Sequence, residues 1–185
     1  MTIGVGGSTA RIELDKIQDM TKAVKPIALE EYKLRIQKAV VLMKKQNCKA
    51  IYLNAGTNLY YFTGTNWNAS ERMVGALLFE DETIEYIVPK FEEGTFKKFM
   101  LLEGSLNCWE EHESPYELLG TILKRKNIQS GNIAIDESVS YFLVDGVAKG
   151  NPEYEFTNAQ PITSSCRMQK SKNEIAIIQQ AKEIT

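Results

Sequence analysis

Between Leu29 and Ala159 the sequence changes its hydrophobic period repeatedly, and this alternation leaves few folds open. Leu29, Tyr32, Leu34, Ile36, Ala39, Val40 and Met43 recur among charges at helical spacing until Asn47, which predicts a helix over 29–46. AIYLN (50–54) and NLYYFTG (58–64) follow as short aromatic and apolar runs separated by Gly56, and they read as strands. VGALLFE (74–80) and IEYIVP (84–89), with Asp81 and Glu82 between them, predict a hairpin. Residues 91–103 and 115–127 are helical in pattern, the second with Pro115 in a first-turn position after Ser114. NCWEE between them reads as a short strand. NIAID (132–136) is a strand, SVSYFLVDGVAK (138–149) a helix opened by a serine cap, and EYEFTNA (153–159) another strand. Helices and strands in alternation predict an α/β layer architecture, a mixed sheet flanked by helices. At 185 residues the chain is long enough for one ordinary domain with a real core.

The two ends stand apart from this pattern. Residues 1–27 open on IGVGGST and continue as a mixed polar stretch to Lys25-Pro26, which predicts an N-terminal extension. At the other end, Ser171 and Glu174 are spaced as a capping box. Ile177, Ile178, Ala181 and Ile184 then form an apolar stripe. That helix is expected to fray, or to dock on a neighbouring molecule, because nothing in the sequence supplies a cover for its stripe.

Several functions are disfavoured by composition. Lys plus Arg number 22 against 24 Asp plus Glu, and no basic stretch is dense enough to follow a phosphate backbone, so no nucleic-acid partner is expected. The apolar runs fall well short of the ~18 residues that cross a bilayer. Arg11, Glu13 and Asp15 stand where a signal peptide needs apolar residues, so the expected location is cytoplasmic, with no membrane partner. Cys48, Cys108 and Cys166 are dispersed and read as small buried hydrophobes. The single histidine, His112, lies in WEEHES. Its neighbours Glu110, Glu111 and Glu113 cannot all face one point, so a solvated acidic turn is favoured over a metal site. No GxSxG elbow is present. Gly4 and Gly6 begin a dinucleotide fingerprint, but Thr9 occupies the third glycine's place and no strand precedes it. No catalytic residue and no metal ligand can be picked out.

NLYYFTGTNWNASERMVGALLF is more informative. Its aromatic run ends at Gly64, a polar loop carries Trp67, and Arg72 stands at the entrance to an apolar segment. Arginine is shaped to hold a carboxylate through two parallel hydrogen bonds, and tryptophan offers a flat apolar wall. The alternative is that Arg72 pairs with Glu71 or another surface acid while Trp67 packs locally.

AIYLNAGTNLYYFTG, the Arg72 loop, VGALLFEDETIEYIVP, NIAIDESVSYF and PITSSCRMQKSKNEIAIIQQAKEI together resemble the N-terminal half of the creatinase and prolidase family, which includes Xaa-Pro dipeptidases and aminopeptidases. The likeness runs over roughly residues 28–185, and its most specific pieces, YYFTG and R-x-x-K-S-x-x-E-I, are not catalytic motifs. It implies a ribonuclease H-like α/β N-terminal domain over 28–166. Residues 167–185 would then be the linker and first helix of an absent "pita-bread" catalytic domain, beginning at Arg167, Lys170 and Ser171.

In such proteins two divalent metals, manganese, cobalt or zinc, are held by aspartates, a histidine and glutamates of that second domain. None of those ligands can be placed here, so the fragment is expected to be inactive and to bind no metal stoichiometrically. The resemblance further implies a homodimer acting on proline-containing di- or oligopeptides, with Arg72 and Trp67 touching substrate at the partner's active site. A family member that has lost its ligands and serves as a protein-binding module is a second reading, and a creatinase-like C–N hydrolase a third.

Overall fold

Six strands among the described residues, Cys48–Asn54 (β1), Gly75–Phe79 (β2), Ile84–Pro89 (β3), Ser105–Trp109 (β4), Gly131–Ile135 (β5) and Tyr154–Asn158 (β6), form one mixed sheet in the order β4-β3-β2-β1-β5-β6. The computed structural model describes residues 7–17, 19–22 and 24–184. β1 is buried at all but one of its positions, as befits a strand covered on both faces. It runs antiparallel to β2, with Tyr52 opposite Leu77, and parallel to β5, with Tyr52 beside Ile135. β2 and β3 form the expected hairpin, and β4 and β6 add parallel edge strands.

Helices cover both faces of this sheet. Leu29–Lys45 (α2) presents Tyr32, Ile36, Ala39, Val40 and Met43 as one buried stripe. Its first turn carries Glu30 and Glu31 and its last Lys44 and Lys45, which suits the helix dipole. α2 packs on β1 with Thr57–Thr63 (α3) and with Gln160–Arg167 (α7), while Glu93–Phe99 (α4) lies on β3. On the opposite face Pro115–Arg125 (α5) and Tyr141–Gly150 (α6) pack together. Leu119, Ile122, Leu123, Leu143 and Val147 from these helices close over Ala50, Tyr52, Leu77, Ile87 and Ile133. Ser114 caps α5, its Oγ accepting from Glu117 N at 3.3 Å, and Pro115 occupies the first turn, as expected.

Four local readings change. NLYYFTG is not a strand: residues 57–63 are helical because Asn58, Leu59, Phe62 and Thr63 recur at helical spacing and are all buried. Gly56, at φ 117°, turns the chain out of β1, and Gly64, at φ 71°, supplies the left-handed C-cap, its N–H donating to Tyr60 O at 2.9 Å. The helix expected over 91–103 stops at Phe99, since Leu102 N is drawn away to donate to Thr63 O at 3.2 Å. The serine cap of 138–149 is absent. Ser138 Oγ donates instead to Asp136 Oδ1 at 2.7 Å, and α6 starts only at Tyr141. Finally α7, with Pro161 in its first turn, occupies a stretch with no expected helix.

Residues 28–169 form one compact unit, and the described residues of 1–27 and 170–185 a second. In the second unit Ala10–Lys16 (α1) has no buried residue, and Thr9 Oγ1 accepts from Ile12 N at 3.3 Å as its cap. Gly4 and Gly6 of the partial fingerprint lie outside the described residues. Lys172–Ile184 (α8) opens with the expected capping box: Glu174 N donates to Ser171 Oγ at 3.0 Å and Ser171 N to Glu174 Oε2 at 2.8 Å. Gln180 Nε2 donates to Met20 O at 3.2 Å, and Ile177 and Ala176 line a shallow cleft with Val24. No described residue of α8 is buried.

Candidate functional site

The loop from Gly64 to Met73 carries both residues singled out in the sequence, and it holds them apart. Trp67, half-buried, leans on α4, with its ring centroid 5.2 Å from that of Phe96 and 6.1 Å from that of Phe99. Arg72 turns elsewhere. Its Nε donates to Glu111 Oε1 at 3.0 Å and its Nη1 to Glu71 Oε1, and its Cζ lies 5.3 Å from the centre of the Phe91 ring. The two side chains make no hydrogen bond or ring contact with each other. Arg72 thus pairs with surface acids and Trp67 packs locally, while the Arg72 side chain remains 37% exposed.

Electrostatics keep Arg72 charged. Its pKa is raised, first by the hydrogen bond it donates to Glu111 and then by that carboxylate's charge; desolvation opposes the shift, and Glu71 and Glu92 add to it. Glu111 sits on a firm base, because Glu113 N donates to Glu110 O at 2.8 Å and Glu110 N to Glu113 Oε2 at 2.8 Å. An exposed guanidinium over an aromatic ring is suited to receiving an anion next to an apolar group.

A second polar group, which no local spacing reveals, lies at the carboxyl ends of β1 and β5. Asp136 is buried, and both its oxygens are engaged. Oδ1 accepts from Asn58 Nδ2 at 2.9 Å and from Ser138 N at 2.8 Å, and Oδ2 accepts from Asn54 N at 3.1 Å. Glu137 accepts from Asn58 Nδ2 at 3.1 Å and from Thr163 Oγ1 at 2.8 Å. Arg167 Nη1 donates to Asn58 Oδ1 at 2.8 Å and lies 3.8 Å from Glu137. Burial alone would raise the Glu137 pKa. The hydrogen bonds from Asn58, from its own backbone and from Thr163, with the Arg167 charge, outweigh burial and lower it. Each carboxylate oxygen of Asp136 and Glu137 thus accepts at least one hydrogen bond, and the group fastens α3, β5 and α7 together.

His112 is exposed and lines a cleft of about 540 Å³ with Cys108, Trp109, Glu113, Ser114 and Glu117. Among the described residues no three His, Cys, Asp or Glu side chains converge to hold a metal ion. The residues present therefore do not fit a two-metal centre. Cys48 and Cys166 are buried and Cys108 half-buried, and burial pushes all three thiols above their ordinary pKa. No helix among the described residues is long and apolar enough to cross a membrane.

Comparison with known proteins places this geometry in context. Residues 35–169 match the family described as Creatinase/Prolidase N-terminal domain. YkvY of Bacillus subtilis is 24% identical over 151 residues, covering 81% of this chain and 41% of its own. An Xaa-Pro dipeptidase of Pyrococcus furiosus is 26% identical over 154 residues, covering 82% and 40%. Among solved structures, dipeptidase PepE of Mycobacterium ulcerans superposes with a TM-score of 0.72 at 17% identity, over 82% of this chain and 40% of that one, a likeness of fold. The chain spans about two-fifths of the length of the relatives it matches.

Proposed function

The chain belongs to the creatinase/prolidase N-terminal domain family, and on that premise we propose that it is the non-catalytic domain of a cytoplasmic, metal-dependent Xaa-Pro peptidase of dipeptidase type. In this reading it joins two copies into a homodimer and selects substrate, while residues outside this sequence hold two divalent metals and break the X-Pro bond. Such a bond is a tertiary amide, without the N–H that ordinary protease subsites engage.

One observation carries the selective role: Arg72 is charged, 37% exposed and stacked over Phe91 on a loop held by the edge of the sheet. A dipeptide ends in a carboxylate one residue after the scissile bond, where a guanidinium can take it through two parallel hydrogen bonds. A longer peptide carries its carboxylate farther away. Trp67, on the same loop, is assigned the apolar wall beside the substrate.

Kinetics on a full-length protein that includes this chain test the reading. Arg72→Ala should lower kcat/KM for a Gly-Pro dipeptide by about ten- to a hundredfold, the loss of a charge-assisted hydrogen bond, and leave a tripeptide much less affected. Equal losses on both substrates would remove the clamp.

A further inference from the structure

Neither edge at which the Arg72 guanidinium could grip a carboxylate is wholly open. A fork-on-fork pair uses either the Nε–Nη2 edge or the Nη1–Nη2 end. Glu111 holds Nε and Glu71 holds Nη1, so each edge has one nitrogen already engaged, and the two edges share Nη2, for which no hydrogen-bond acceptor is found among the described residues. At either edge an arriving carboxylate therefore competes with a glutamate already bound to one of the two nitrogens it would take.

The two glutamates differ in how they are held. Glu71 is next to Arg72 on the same exposed loop, and its side chain is 73% exposed, so it can turn to water without moving any backbone. Glu111 is 60% exposed and comes from a different element, the turn after β4 that Glu110 and Glu113 close with two hydrogen bonds. Its bond to Nε joins the Arg72 loop to that turn across 39 positions and fixes the guanidinium over Phe91.

We infer that Glu111 is a positioning residue that reserves Nε and aims Arg72, and that Glu71 is a resident competitor which a ligand's carboxylate displaces from the Nη1–Nη2 end. This division of labour rests on the reading of Arg72 as a carboxylate clamp and assigns two further residues to that site. Its direct consequence is that removing the two acids has opposite effects. Loss of Glu71 frees the gripping end, whereas loss of Glu111 lets the guanidinium wander.

The experiment is a titration of the 185-residue chain with N-acetyl-L-proline, its amide and acetate, followed at the Arg72 Nε–Hε resonance. The carboxylates should move that resonance and the amide should not. Glu71→Gln should tighten N-acetyl-L-proline by about two- to fivefold, the range expected on removing an exposed competing ion pair. Glu111→Gln should weaken it by a similar factor and shift the free Nε–Hε resonance, and Glu111→Asp should return part of both. Backbone amides away from the loop report whether each variant remains folded. The inference is overturned if Glu71→Gln leaves binding unchanged or weaker, if Glu111→Gln binds as well as the parent, or if no carboxylate moves the Arg72 resonance. Acetate and N-acetyl-L-proline responding alike, with opposite effects of the two variants, would uphold the roles of the glutamates while removing the preference for a prolyl carboxylate.

Discussion

Arg167 donates from Nη1 to Asn58 Oδ1 at 2.8 Å, and so ties the last turn of α7 to the first turn of α3. Asn58 is also the donor to Asp136 and Glu137, and it is fully buried. Asn58→Ala should therefore take one hydrogen-bond partner from each of three charged groups at once, Asp136, Glu137 and Arg167, and lower the unfolding free energy by about 2–3 kcal/mol. Urea unfolding with an unchanged m-value would measure this. A loss below about 0.5 kcal/mol would mean that water satisfies the same groups and that the link is not what fastens the two helices.

Glu137 gives this group a pH dependence. Its folded pKa lies below the ordinary 4.5, so the stability it contributes is present above that value and is lost as pH falls through the lowered one. Replacing it by glutamine should flatten the decline of melting temperature below pH 4.5 while having its full cost near neutrality. Parallel melting curves for the two proteins in acid would show that another carboxylate dominates.

Gly64 and Gly94 make an internal comparison. At Gly64 a Cβ would combine a φ of 71° with a 2.4 Å approach to the Leu101 side chain, whereas at Gly94, in the first turn of α4, it would meet nothing within 4 Å. Gly64→Ala should cost about 1–2 kcal/mol, mostly from the left-handed backbone, and Gly94→Ala should gain about 0.5 kcal/mol. Thermal unfolding of the pair gives the sign directly; equal shifts would remove the conformational argument.

Hydrogen exchange should separate α8 from the sheet unit. No described α8 residue is buried and Ile175, Ile178 and Ile184 are about half exposed, whereas α5 buries Leu119, Ile122 and Leu123. In a monomer, α8 amides should exchange close to the unprotected rate while those of α5 approach global protection. Strong protection in α8 would contradict the exposure of its apolar side.

Those parts of the fold written in short-range spacing were legible in the sequence. The β2–β3 hairpin, the α2 stripe, the Ser114 cap and the Ser171–Glu174 box each depend on residues a few positions apart. NLYYFTG misled because aromatic residues favour strands locally, and only packing against α2 and β1 rewards the helical face of Leu59 and Phe62. α7 was hidden by serines and threonines that are weak helix formers, although Ile162 and Cys166 are four apart. Arg72 and Trp67 could be nominated by residue type, but Glu111 as the partner of Arg72 could not, since it lies 39 positions away. The Asn58–Asp136–Thr163–Arg167 group is still less local, because three elements, α3, β5 and α7, must assemble before it forms.

The position of β1 has a consequence for biosynthesis. Emerging from the ribosome, it finds β2 almost at once, but its other neighbour, β5, is made about eighty residues later, and pairings so distant in sequence close slowly. Throughout that interval a strand that ends up buried at all but one position has one naked edge, which makes the nascent chain a natural client for chaperones.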